Sequence, residues 1–469
     1  MFGLEDTTLI VLLIFSLICA CGFEFVNGFH DTANAVATVI YTNSLKPWMA
    51  VLISAILNCL GVFLGGTAVA MGIVNLLPVE ALIDQNINHS MAMIMALLFS
   101  AISWNLTTWY FGLPASSSHT LIGSILGVGI MFGWLHPESG GGVNWSKAEG
   151  VGLSLLFSPL FGCTMTIVLM FIIRKIAKKQ QKLLFSEPEK KKAPPLWIRS
   201  ILIATSSGVS FSHGINDGQK GVGLVMLILI GIVPTYFALD QRLDLKDMQP
   251  HIVKVEEYAH KIKLDKLSDA DSARAIKTIG YLADLKATTA TVSKTTDLGD
   301  KKPFELRKDI LLITKNMKGF MENGGLEVTE SQKEELGKEL KGLKKHTDYA
   351  PNWVIVMIAF SLGIGTMIGW KRIVITIGEK IGKQHLTYAQ GASAELVAAS
   401  TIGLASGLGL PVSTTHVLSS GIAGSMIADK GLKNLQGGTV RNILLAWLFT
   451  LPVTIILSGG LYWLFLQLL

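Results

Sequence analysis

Half of the 469 residues are hydrophobic and only 16% are charged, a balance that would leave a water-soluble globule with more apolar surface than it could hide. The formal charge of +6 does not point to nucleic acid, because basic residues in a membrane chain record orientation and their placement carries the meaning. Cys19, Cys21, Cys59 and Cys163 all sit in apolar runs without metal-ligand spacing, so they read as packing residues.

The first charges are Glu5 and Asp6, which makes the apolar run from Thr7 a retained first span and not a cleaved signal. Charge-free runs follow at 48–79, 90–137, 150–173, 349–370, 396–428 and 442–469, long enough to cross a bilayer at ~20 residues per span. They predict an all-α, polytopic membrane protein.

Two stretches interrupt them. Residues 174–199 hold nine Lys/Arg, with Glu187, Glu189 and three prolines, and read as a basic cytoplasmic linker. Residues 240–350 hold 21 Lys/Arg and 20 Asp/Glu against 19 and 14 in the rest of the chain, and read as a soluble insertion. Val255, Tyr258 and Ile262 are spaced as on one helical face, and with the cluster from Ile310 to Ile313 they predict a small helical domain.

The chain repeats itself. GFHDTANAVAT at 28–38 is matched by GINDGQKGVG at 214–223, and GLPASSSHT at 112–120 by GLPVSTTHV at 409–417. His30 to His119 spans 89 positions and Asn216 to His416 spans 200; the excess of 111 equals the length of the insertion. The expected organisation is therefore a first membrane repeat over 1–173, the linker, and a second repeat over 200–239 and 351–469. Lys371, Arg372, Lys380 and Lys383 mark one loop as cytoplasmic, whereas the loop of the first half around Glu80 and Asp84 has no Lys or Arg. This predicts inverted copies, with five segments per half, broken helices at the Asp motifs and re-entrant Ser/Thr hairpins. Both termini and the insertion would then be periplasmic, unless 197–239 holds two short spans instead of one broken one.

Asp31 and Asp217 are carboxylates in apolar surroundings, where ~2.5–3.5 kcal/mol of insertion cost makes them markers of an ion or proton path; a helix-capping role is the plainer alternative. Asn34 and Lys220 follow each by three residues, on the same helical face. Ser116, Ser117, Ser118 and Ser413, Thr414, Thr415 follow Pro114 and Pro411, so each cluster opens a helix whose free N–H groups and hydroxyls suit a tetrahedral oxyanion, phosphate or sulfate. Their plainer reading is hydrogen bonding between helices. His119 and His416 close the clusters and read as hairpin-stabilising. His30, where the other copy has Asn216, breaks the symmetry and is the better coupling candidate. Glu24 and Glu395 are further candidate cation or proton ligands. There is no Walker loop, nucleophile elbow or paired His/Cys site to argue for an enzyme.

These elements, GFHDTANAVAT, HGINDGQKGVG, GLPASSSHT and PVSTTH, resemble the signatures of the Pit family of inorganic phosphate transporters, and the match covers the membrane portion. The insertion, the GFHD form of the first motif and GIGTMIGWKRIVITIGEKIGK resemble its bacterial low-affinity branch. The resemblance implies phosphate uptake with protons, partly as neutral metal–phosphate complexes, at a site where both Asp motifs and both hairpins meet near the midplane. Asp31, Asn34, Asp217, Ser117 and Thr414 with their cluster neighbours carry over, and Glu395 looks like the acidic position of the family motif. His30 departs from the family's usual Asn-Asp, which weakens sodium coupling against protons. No cofactor is implied beyond co-transported H+ or Na+ and a divalent metal carried with phosphate; a homodimer is compatible with the pattern.

Overall fold

A computed structural model describes residues 4–82, 86–137, 142–189, 192–299 and 301–468; Asp84, used above to orient a loop, lies outside the described residues. No strand occurs among them, and apart from one isolated β-bridge the ordered backbone is helical. Among the described residues seven helices are long and apolar enough to cross a membrane, and a bent pair adds an eighth.

The first half contains α1 (Thr7–Tyr41), α2 (Pro47–Leu64), α3 (Ala68–Val74), α4 (Ile87–Tyr110), α5 (Ser117–Leu135) and α6 (Trp145–Ile176). Next comes α7 (Leu196–Ile232), which stays continuous through a π-helical turn at Gly214–Gly218. Local chemistry sets the starts: Pro47 opens α2, and the Asn144 side chain caps α6 by accepting from the Lys147 N–H.

The chain divides into two compact units. One comprises Met1–Val11, Val79–Ile87 and Leu229–Tyr349 and holds α8 (Gln249–Ala259), α9 (Asp269–Thr291), α10 (Lys302–Glu322) and α11 (Glu330–Lys344). Val255 and Tyr258 face its core with Leu282, Ile310, Met317 and Leu340, while Ile262 lies past the end of α8 and is only partly buried. Thr329 and Gln332 form a capping box at α11. Arg307 is buried and donates to the carbonyls of Ala238 (3.0 Å) and Thr347 (3.1 Å), tying together the two ends of the insertion.

Asp309 on α10 is raised to about 7, first by burial and then by repulsion from Asp284. Raised above its unfolded value, this carboxyl favours the fold when protonated, and that contribution is lost as pH rises through about 7. Asp309→Asn should therefore slow amide exchange along α10 at pH 8 and leave it unchanged at about pH 3, below the ordinary Asp value. Equal exchange in both proteins at pH 8 would contradict this.

The other unit, Leu12–Pro78, Asn88–Ile228 and Ala350–Leu469, completes the membrane portion. It adds α12 (Asn352–Thr366) and α13 (Lys371–Lys380), bent by 56° at their junction, then α14 (Tyr388–Gly407), α15 (Thr414–Lys430) and α16 (Gly437–Leu468). The halves interlock: α5 packs along α16, α15 along α6, and α2 against both α7 and α12. Glycines make these approaches close enough for backbones to touch. A Cβ at Gly28 on α1 would overlap the backbone of Leu362 and Gly365 on α12, and one at Gly214 on α7 would overlap Asn58 on α2.

One expectation is corrected. The helix carrying the first Asp motif is unbroken over its 35 residues. Only the second motif departs from α-geometry, through its π-turn, and the 56° bend lies elsewhere, between α12 and α13. A fully buried segment whose side chains find polar partners needs no break to tolerate a carboxylate.

Candidate functional site

Two helix tips and two motif segments meet in the membrane unit. At each tip a glycine with positive φ, Gly112 (+65°) or Gly409 (+69°), turns the chain so that the Pro-initiated segment can open a helix. Ser116 caps α5 by accepting from the His119 N–H at 3.2 Å, and Ser413 caps α15 from the His416 N–H at 3.1 Å. Those two hydroxyls are thus engaged as caps, whereas the residues after them point to the motifs.

Ser117 donates to Asp31 Oδ2 and Thr414 to Asp217 Oδ2, each at 3.1 Å, within one half. The third residue of each cluster crosses over. Asn34 donates to Thr415 Oγ1 at 3.0 Å, and Lys220 donates to Ser118 Oγ. Asp31 Oδ1 accepts from Thr415 and Asn34, and Asp217 Oδ1 accepts from Lys220. Lys220 also donates to the Val412 carbonyl at 2.8 Å. Every one of these side chains is buried. The first N–H groups of α5 and α15 have no intrahelical acceptor, and they flank this cluster of donors.

The residue that sequence reasoning missed is His213. Its Nε2 lies 3.2 Å from Asp217 Oδ2 and 3.8 Å from Asp31 Oδ2, bridging the two motifs. Its Nδ1 is 3.0 Å from Asn58 Oδ1, and because the Asn58 amide nitrogen donates to Thr366, that oxygen is an acceptor. His213 Nδ1 therefore carries a proton, and Nε2 faces the carboxylates either as a second donor or as a lone pair. Ligand atoms of Asp31, His213 and Asp217 all lie within 4.8 Å of one another, close enough to share one cation. A signal was present: NGFHD at 27–31 and HGIND at 213–217 exchange Asn and His between the first and fourth positions.

The remaining predicted residues separate. His30 contacts Asp31 Oδ1 at 3.3 Å and Thr108 at 3.4 Å, at the edge of the cluster. Asn216 instead braces the second tip, donating to Ser406 and Leu410 O and accepting from the Val412 N–H. Glu24 packs against Gly221, beside Lys220, and accepts from Asn27 at 3.3 Å. Glu395 is fully buried and accepts from the Thr205 hydroxyl on α7 at 2.5 Å, which sets it apart from the Asp31–Asp217 network. His119 accepts or donates with Ser116 at 2.9 Å and stacks near His416, which lies on Trp447.

A family model described as the phosphate transporter family matches residues 27–458. The low-affinity inorganic phosphate transporter PitA of Escherichia coli K12 is 43% identical, with 98% of this chain and 97% of that protein covered. The low-affinity inorganic phosphate transporter of Buchnera aphidicola from Acyrthosiphon pisum is 41% identical, covering 100% and 99%. A solved structure titled the sodium-dependent phosphate transporter shares the fold at a TM-score of 0.54 and 21% identity, covering 98% of this chain and 100% of that one. The relatives and the family are transporters, not enzymes. With the family model spanning nearly the whole membrane portion and full-length relatives well above 30% identity, the chain belongs to the phosphate transporter family.

Proposed function

We propose that the chain is a secondary transporter importing inorganic phosphate across the bacterial inner membrane, coupled to protons and carrying part of its cargo as a neutral metal–phosphate complex. The observation that supports this best is the reciprocal network in which each Asp motif is held by both Ser/Thr tips. Lys220, Asn34, Ser117, Ser118, Thr414 and Thr415 supply donors for phosphate oxygens, and Asp31 and Asp217 hold the accompanying cation or proton. Ser116 and Ser413 contribute by fixing the tips.

Charge makes a cation necessary. Asp31, Asp217 and Lys220 sum to −1 with His213 neutral and to zero with it protonated, while moving a bare anion inward costs ~2.3 kcal/mol per charge per 100 mV. His213 is the proton carrier in this reading; a divalent metal arriving with phosphate would use Asp31, Asp217 and the His213 lone pair. His30, Glu24 and Glu395 are accessory protonation positions, the last on a separate path.

The two halves are read as inverted repeats alternating access to one site, with the tips as re-entrant hairpins, the 174–199 linker cytoplasmic and the termini and the 240–350 insertion periplasmic. Sodium coupling, sulfate as cargo, and a non-transporting phosphate sensor are the rival readings. In proteoliposomes clamped at zero potential, an acid-outside gradient of one pH unit should accumulate radiolabelled phosphate about tenfold if one proton travels per neutral complex. Accumulation driven by sodium alone would overturn proton coupling, and uptake competed equally by sulfate would overturn phosphate selectivity.

A further inference from the structure

A basic groove lies at the C-terminal end of α6. Beyond Ile176 the chain makes a tight helical turn and folds an open groove of about 610 Å³ lined by Arg174, Lys178, Lys179, Lys182, Phe185 and Ser186. Arg174 is already engaged: its guanidinium donates to Asp429 Oδ1 at 2.7 Å and lies 4.9 Å from the Phe185 ring centre. Gln181 closes the turn by donating to the Arg174 carbonyl at 2.6 Å. Lys178, Lys179 and Lys182 are exposed and have no carboxylate partner among the described residues. Three uncompensated ammonium groups therefore rim one groove.

The α6 surface that runs into this groove is apolar and open. Val168, Phe171, Ile172 and Ile176 lie at helical spacing on one face, with Phe171 56% and Ile176 79% exposed. A ligand carrying phosphate oxygens at one end and hydrocarbon at the other would match both surfaces; free phosphate would leave the apolar stripe unused. We propose that this groove binds the headgroup of an anionic phospholipid, with its acyl chains lying along the Phe171–Ile176 face of α6. The site is separate from the Asp31–Asp217 network and does not depend on which ion or anion is transported.

The groove is tied to the transport machinery through Arg174, which donates to the Ala428 carbonyl as well as to Asp429. Asp429, the partner of Arg174, lies near the C-terminal end of α15, the helix whose first residues are Thr414 and Thr415. Lipid at the groove thus braces the far end of a substrate-contacting helix.

The test uses the full-length protein in detergent, titrated with phosphatidylglycerol or phosphatidylcholine and read by native mass spectrometry and by the lipid-induced rise in Tm. Wild type should retain phosphatidylglycerol in preference to phosphatidylcholine. The triple variant Lys178→Gln, Lys179→Gln, Lys182→Gln should bind it about 100-fold more weakly, each basic residue counting at its usual strength near an anionic surface. The triple Lys→Arg variant should bind like wild type, and each single Gln variant should lose about fivefold. Because Tm is compared with each variant's own lipid-free value, a variant of altered stability is still informative. Equal binding of the two lipids, or undiminished phosphatidylglycerol binding by the triple Gln variant, would overturn the proposal. So would displacement of the lipid by millimolar inorganic phosphate, which would make the groove a soluble-anion site.

Discussion

Asp217→Asn should lower the initial rate of phosphate uptake into proteoliposomes by about 100-fold or more, and Asp31→Asn should do the same. Removing one member of a buried, hydrogen-bonded charge pair costs ~3–5 kcal/mol, and each 1.4 kcal/mol is a factor of ten. In Asp217→Asn the Lys220 ammonium keeps Ser118 and the Val412 carbonyl but loses its buried counter-charge, and Thr414 faces an amide where it had a carboxylate. Asn caps and turns a helix about as well as Asp. A carboxylate that served only as a helix cap would therefore tolerate the change, and full uptake by monodisperse, folded protein would sink the coupling role of both residues.

Gly28→Ala and Gly214→Ala should each prevent the membrane unit from assembling normally. The added methyl would meet backbone and not a side chain that could swing aside: Leu362, Gly365 and Thr366 for Gly28, Asn58 for Gly214. Neither backbone can retreat without moving the motif that follows three residues later, so the cost is at least the ~1–3 kcal/mol of core overpacking. The measurement is the Tm of detergent-purified protein together with uptake. Gly150→Ala, where a Cβ meets nothing within 4 Å, serves as the control and should behave as wild type. Variants at Gly28 and Gly214 that match this control in Tm and uptake would show that the crossings adapt.

Much of the arrangement was legible because the chain carries each element twice. The Gly-Leu-Pro tips, the Asp motifs and the helix lengths recur, and recurrence separates a pattern from coincidence. The π-turn at Gly214–Gly218 was not legible: both motifs contain glycine three residues before Asp, yet only the second departs from α-geometry. The caps formed by Ser116 and Ser413 were not separable from the site hydroxyls beside them, since three consecutive hydroxyl residues look alike until the helix start is known.

His213 is the clearest omission. Position-by-position matching pairs it with Asn27 and sets His30 against Asn216, which makes His30 look like the broken symmetry. In the fold, the i,i+4 spacing of His213 and Asp217 on α7 brings imidazole and carboxylate together, and Asn58 orients the ring. Asn216 is turned away to brace the second tip.

The sequence by itself determined the solvent this chain requires, the recurrence of its Asp and Gly-Leu-Pro motifs and the position of its charged stretch, since hydropathy, charge and repetition are local properties. Which of those residues share one point was decided only by tertiary structure. The crossings Asn34 to Thr415 and Lys220 to Ser118, the bridging His213 and the separation of Glu395 depend on helices from opposite halves meeting at glycines, a packing that no local pattern encodes.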